Sequence, residues 1–233
     1  MLYCLFLFFA IPSFASRNTD TDQKIIYAGL LASQNELKID DKAGKEEALL
    51  EGPGQGGVTA GLMTKPKPLF SRLPWLRGTV DISFASFKTN SQIVTINGKK
   101  KNDGVELDTA SSGYLAYINP ALVLYYGFSD NFYTYLGVGI GGGYTSISGD
   151  YYQTGGTVSA SCSSSQSIAT IQSNCEKKSF GTSRFTISQS VTAVMSLGWF
   201  GIKFDIGGST YKDGGRTYNP NIKNASFYLQ YRF

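Results

Sequence analysis

Residues 226–233 read SFYLQYRF, with Phe227, Leu229, Tyr231 and Phe233 on one parity and Ser226, Tyr228, Gln230 and Arg232 on the other. Successive side chains of a β-strand point to opposite faces, so this is a strand with one apolar and one mostly polar side. Chain ends usually fray and carry polar residues unless something ties them down. An aromatic in the last position therefore asks what holds this strand on either side.

The same alternation recurs upstream. Residues 76–84 (LRGTVDISF) set Leu76, Val80, Ile82 and Phe84 against Arg77, Thr79, Asp81 and Ser83. Residues 184–199 set Phe185, Ile187, Val191, Ala193, Met195, Leu197 and Trp199 against Arg184, Thr186, Ser188, Ser190, Thr192 and Ser196. Residues 201–209 oppose Ile202, Phe204 and Ile206 to Lys203 and Asp205, and residues 133–144 oppose Leu136, Val138 and Ile140 to glycines. Less clean runs complete a set of eight expected strands, at 24–39, 57–66, 75–88, 112–126, 132–145, 183–198, 201–210 and 224–233. Pro120 cannot donate to a ladder, so irregular pairing is expected there.

The connections alternate in length. Short ones (PKPLFSRLP, GFSDN and the residues around Trp199–Gly201) follow strands 2, 4 and 6, and long polar ones follow strands 1, 3, 5 and 7. An up-and-down sheet then gathers every long loop at one end, the organisation of a closed antiparallel barrel with unequal ends. The polarity of its faces decides between a membrane barrel and a secreted soluble ligand-binding barrel, which stays as an alternative. The polar parity is rich in Gly, Ser and Thr and carries Arg77, Asp81, Arg184, Lys203, Asp205 and Arg232, a set suited to a narrow lumen as a charge network. The apolar parity of the clean strands carries no charge, where one at mid-bilayer would cost about 2–4 kcal/mol. Aromatics collect at the short-turn ends (Phe70, Trp75, Tyr125, Tyr126, Phe128, Phe132, Tyr133, Trp199, Phe200 and Phe233), as expected of a girdle at a membrane boundary. The expected fold is thus all-β, an eight-stranded antiparallel up-and-down transmembrane barrel.

Residues 1–15 form a short apolar run with Ser13 and Ala15 placed for cleavage, so a signal peptide over 1–15 and a barrel over 16–233 are expected. Cleavage leaves Cys162 and Cys175, an even pair that in an exported chain reads as one disulfide in the longest loop. The net charge of +4 is scattered and gives no reason to invoke nucleic acid.

In these features the chain resembles the small eight-stranded outer-membrane barrels of Gram-negative bacteria, the group of OmpX, OmpW, the opacity proteins and the OmpA membrane domain. In that group a last strand ending in Phe is the signal read by the barrel-assembly machinery, and Phe227, Leu229, Tyr231 and Phe233 match it. The resemblance implies a place in the bacterial outer membrane, with outer-membrane lipid and lipopolysaccharide as surroundings. It implies location and assembly more strongly than activity.

The sequence contains no histidine. A Ser-His-Asp hydrolase needs imidazole as its base, and by resemblance the known outer-membrane barrel enzymes also rely on it. Asp81 and Asp205 share their faces with Arg77 and Lys203, and pairing is the simpler reading than acid–base work. GVGIGG matches G-x-G-x-x-G at Gly137, Gly139 and Gly142, but no helical pattern follows, as a dinucleotide site requires. No catalytic residue, cofactor or metal is expected. Asn97–Gly98 is a hairpin signal, and Lys99, Lys100 and Lys101 after it are candidates to meet lipopolysaccharide phosphates. The function expected is non-enzymatic: envelope integrity, or contact with an extracellular ligand or host surface through the long loops. A narrow channel for ions or small apolar solutes is the alternative.

Overall fold

The computed structural model describes residues 23–93, 95–96, 99–100, 106–107, 110–129, 131–153 and 167–233. The wall strands are β1 (Lys24–Asp40), β2 (Glu46–Thr64), β3 (Leu73–Thr89), β4 (Ser111–Ser129), β5 (Phe132–Tyr152), β6 (Lys177–Leu197), β7 (Phe200–Ser209) and β8 (Arg216–Arg232). Each pairs antiparallel with its neighbours in sequence, and β8 returns to β1 from Ile25↔Arg232 to Asp40↔Thr217, closing a ring of eight. Closure removes the sheet edges that an open sheet would expose. It also holds the last residue, because Lys24 and Phe233 exchange backbone hydrogen bonds of 3.1 Å. Among the described residues no helix is long and apolar enough to cross a membrane.

The outward parity is apolar. Leu30 is 72% exposed, Phe185 71% and Leu229 65%, and each is flanked by further apolar side chains. A continuous surface of this kind is suited to lipid rather than water. Phe70, Trp75, Phe128, Trp199, Phe200 and Phe233 are exposed at the short-turn end. A second aromatic row, not read from the sequence, crosses the wall nearer the long loops: Phe84 and Tyr114 lie 5.4 Å apart, Tyr114 and Tyr144 6.3 Å apart, and Phe185 pairs opposite Tyr144. Tyr125 and Tyr133 do not belong to the girdle. Both sit on the inward parity and are buried in the lumen.

Several strands run farther than their alternation foretells. Residues 46–56, expected as loop, belong to β2, because residues 41–45 make a tight turn. The Asp41 side chain accepts the Lys45 N–H at 2.8 Å, and Gly44 takes a left-handed φ of 77° that a side chain would strain. Residues 210–215 likewise close on Gly214 and Gly215, and Tyr211–Asp213 pairs back onto β8. Two of the four expected long loops are thus tips of extended hairpins. Pro120 behaves as anticipated: it keeps register with Val80 of β3, while the β5 ladder skips from Gly139↔Ala121 to Gly142↔Ile118.

The interior is filled in three layers. Nearest the short turns lie Ile25, Tyr27, Met63, Val123, Tyr125, Tyr133, Tyr135 and Tyr228. Nearest the long loops lie Leu37, Ile39, Leu50, Phe87, Ile147, Tyr151, Phe180 and Tyr218. Polar and charged side chains occupy the level between. The sequence reading of a small-residue, polar lumen therefore describes the middle and misses two apolar plugs.

Candidate functional site

The middle layer is built on three strands that meet only because the ring closes. Asp81 of β3 accepts a hydrogen bond from Lys203 of β7, although β3 and β7 are not neighbours in the wall. Lys203 also lies 3.3 Å from Asp205, two positions along its own inward face. Tyr27 of β1 donates to the second Asp81 oxygen at 2.8 Å, and the Lys203 ammonium stands 5.5 Å from the centre of its ring. Asp81 and Lys203 are buried, and the Asp205 side chain is 14% exposed. Asn119 and Ser190 adjoin the layer through a 3.1 Å hydrogen bond. A cavity of about 60 Å³ borders Asp205, Asn119, Ser190 and Asn224, with an apolar layer on either side of it.

The lumen charges read from the sequence thus divide. Asp81, Lys203 and Asp205 form one cluster. Arg77 instead lies at the short-turn end, where its guanidinium donates to the Pro74 and Pro66 carbonyls at 2.8 and 3.1 Å and stacks 3.9 Å over Tyr125. Arg232 does the same beside Tyr133, with bonds to Asn131 and Ser196 at 3.1 and 3.2 Å. The two arginines cap the tyrosine layer and close that end. Arg184 is at the opposite mouth, half exposed, and pairs with Asp213 at 2.7 Å.

That last contact spans a seam. β7 pairs with β6 only from Leu197↔Phe200 to Ser188↔Ser209, so beyond it residues 177–187 of β6 have no ladder on that side among the described residues. Asp213 bridges the gap, accepting from Thr182 at 2.8 Å and from Arg184. The Thr182 hydrogen bond, and Arg184 after it, hold the Asp213 carboxyl below the usual carboxylate range. Behind the seam, burial pushes the Tyr211 hydroxyl up to about 12. Glu47 makes a second mouth contact, accepting from Tyr151 and Arg216 at 2.9 Å each. The sequence did not single out Tyr27, Glu47, Asp213 or Arg216. Inward parity marks Tyr27, but nothing local marks the others as partners.

Phe227, Leu229, Tyr231 and Phe233 all face outward at the end of β8. Lys99 and Lys100 lie in a short strand paired Ile96↔Lys99 and Thr95↔Lys100, and Asn97 and Gly98 lie outside the described residues. Lys101, Cys162 and residues 1–15 fall outside the described residues. Cys175 follows the helix Ile168–Asn174, is buried, and donates its N–H to the Ile171 carbonyl at 2.9 Å. Gly137 and Gly139 lie within β5 rather than ahead of a helix. A Cβ at Gly139 would come within 2.5 Å of the Asn119 side chain and one at Gly137 would collide with Val123, so these glycines make room for side chains of the adjoining β4. Among the described residues no group of three His, Cys, Asp or Glu is placed to hold a metal.

No family model matches the chain, and no curated protein matches it. Among solved structures it is similar to Ail, the attachment invasion locus protein of Yersinia pestis, which was crystallised in complex with the heparin analogue sucrose octasulfate. Identity is 10% over 89% of this chain and 98% of that one, at a TM-score of 0.32. It is also similar to the outer membrane protease OmpT from Escherichia coli, at 11% identity over 96% and 99% of the two chains and a TM-score of 0.37. Values this low register a likeness in barrel architecture and carry no residue role across.

Proposed function

We propose that the protein is a non-enzymatic outer-membrane barrel that holds a folded structure above the lipid for surface contact or envelope integrity. The observation that carries this reading is the contrast between a lumen filled with side chains at three levels and extended hairpins with an apolar core of their own. An eight-stranded barrel has interior space only for its own side chains, which speaks against the channel reading. The carboxylates best placed for chemistry, Asp81 and Asp205, are both engaged by Lys203, and there is no imidazole to act as base.

Within this reading residues 1–15 are an export signal, Cys162 and Cys175 form a disulfide at the long-loop end, and Lys99–Lys101 meet lipopolysaccharide phosphates. The outward row Phe227, Leu229, Tyr231 and Phe233 serves recognition by the barrel-assembly machinery. The test joins whole-cell surface labelling with planar-bilayer recording of refolded protein. Surface-accessible residues 95–109 and a silent bilayer are expected. Discrete conductance steps would favour the channel, and stable monomer in detergent-free buffer would favour the soluble carrier.

A further inference from the structure

The lipid-facing wall is not apolar all the way round at its upper edge. Across six strands, consecutive cross-strand pairs run Ile140↔Gln189, Gln189↔Gly208, Gly208↔Asn221, Asn221↔Glu36 and Glu36↔Glu51. Beneath this polar row the pairs Val138↔Val191, Val191↔Ile206 and Ile206↔Lys223 form an apolar floor ending in a cation. The Asn221 side-chain oxygen lies over Gly208, where a Cβ would collide with it, and the two tiers line an outward groove of about 960 Å³. Gln189 stands exposed between Ile187 and Val191, an amide where the neighbours are lipid-facing aliphatics. Asn221 is turned to Glu36, donating at 3.2 Å, so the amide edge of the groove is oriented.

We propose that this groove binds one zwitterionic phospholipid, with its phosphate against Lys223 and its ammonium toward Glu36 and Glu51. The inference rests on the outer-membrane reading only for the direction of the lipid. The order of charge is the argument. Moving outward along the strands one meets aliphatics, then Lys223, then, one two-residue step or about 7 Å farther, the carboxylates. Acyl chain, phosphate and terminal amine follow one another in the same sequence in such a lipid. An anionic headgroup would satisfy Lys223 and be repelled by Glu36 and Glu51.

The experiment is native mass spectrometry of the full chain released from detergent, with phosphatidylethanolamine, phosphatidylglycerol or lipid A added separately. A single retained phosphatidylethanolamine is expected, with retention reduced about ten-fold by Lys223→Glu, the loss of one charged contact. Exposed Lys223 and Glu36 substitutions should leave heat-modifiable migration unchanged, which separates loss of the site from loss of the barrel. The double variant Lys223→Glu with Glu36→Lys should bind no better than Lys223→Glu alone, since it keeps both charges but reverses their order; recovery of binding in it would overturn the proposal. Equal retention of phosphatidylglycerol, preferential retention of lipid A, or an adduct indifferent to Lys223→Glu would each overturn the proposal. None of these outcomes bears on surface exposure or conductance, so the broader functional reading stands or falls separately.

Discussion

β1 carries two polarities along one strand. In its first half Ile26, Ala28, Leu30 and Ala32 face outward, and Ser33 and Asn35 follow on the inner face. In its second half the outward positions are Gln34, Glu36 and Lys38, while Leu37 and Ile39 point inward and are wholly buried. β3 repeats the exchange, from Phe84 outward and Asp81 inward to Lys88 outward and Phe87 inward. Alternation is the same in both halves; only the surroundings differ. Where lipid surrounds the wall the polar groups must turn inward and pair, and where water surrounds it the ordinary rule of an apolar interior returns. The barrel is thus an inverted protein and a conventional one joined end to end.

The comparison is most severely tested in the inverted half, by Lys203→Ala. It leaves buried Asp81 and nearly buried Asp205 without their cation, and breaking a buried pair by removing one partner costs about 3–5 kcal/mol. Urea unfolding in lipid vesicles measures it. Replacing all three groups together with Leu, Met and Leu should restore most of the loss, because an apolar set leaves no orphaned charge. If Lys203→Ala alone is neutral, the cluster is not what organises the middle layer.

Two substitutions to the same residue sharpen the boundary between the halves. Leu30→Arg places a charge in the lipid band and should cost about 2–4 kcal/mol in vesicles. Glu36→Arg, six residues up on the same outward parity, should fall within about 0.5 kcal/mol of wild type. Equal penalties would mean that lipid extends over Glu36 and that the change of polarity in β1 is not the membrane edge.

Phe233 tests whether an outward residue at the lower edge serves stability or assembly. Its side chain is worth roughly 1.5–3 kcal/mol if fully buried in lipid, and it is 56% exposed to the surroundings of the wall. Deleting it should lower insertion in cells far more than it lowers the unfolding free energy of refolded protein. Normal surface levels would refute the assembly role, and so would an in vitro loss large enough to account for the cellular one.

How much of this was legible follows from what alternation encodes. A period of two assigns each residue to a face, so the lipid-facing sets of β6, β7 and β8 could be read directly. It does not say where along a strand lipid gives way to water, so Leu37 and Ile39 could not be told from lipid-facing residues. Tyr125 and Tyr133 group with the girdle by their place near the short turns, although the parity of Tyr133, shared with Gly137 and Gly139, already marks the inward face. Turn chemistry was present in the sequence at Asp41 and Gly44, but the acidic run after it masked the continuation of β2. The Asp81–Lys203 contact lay beyond sequence reasoning in a different way. The residues are 122 positions apart on strands that never pair, and only the diameter of the closed ring sets them face to face.

The smallest effect expected is at the seam beside β6, in the conventional half. Asp213 is the only described carboxylate accepting from both Thr182 and Arg184 across it. Its folded pKa is depressed, so its contribution is complete above the ordinary carboxylate value of about 3.9. It is lost as pH falls through the lower folded value. Asp213 is solvent-accessible, so the consequence should be local: loosening of the 211–218 hairpin against β6 rather than unfolding of the barrel. Amide exchange across residues 177–187 and 211–218, followed from about pH 6 to about pH 3 after correction for intrinsic rates, should show protection falling only at the acid end. Asp213→Asn retains an acceptor for Thr182 but no charge for Arg184, and should begin less protected and lose the acid step. An unchanged acid step in that variant would mean that another carboxylate, with Glu47 at the same mouth the first to examine, governs the seam.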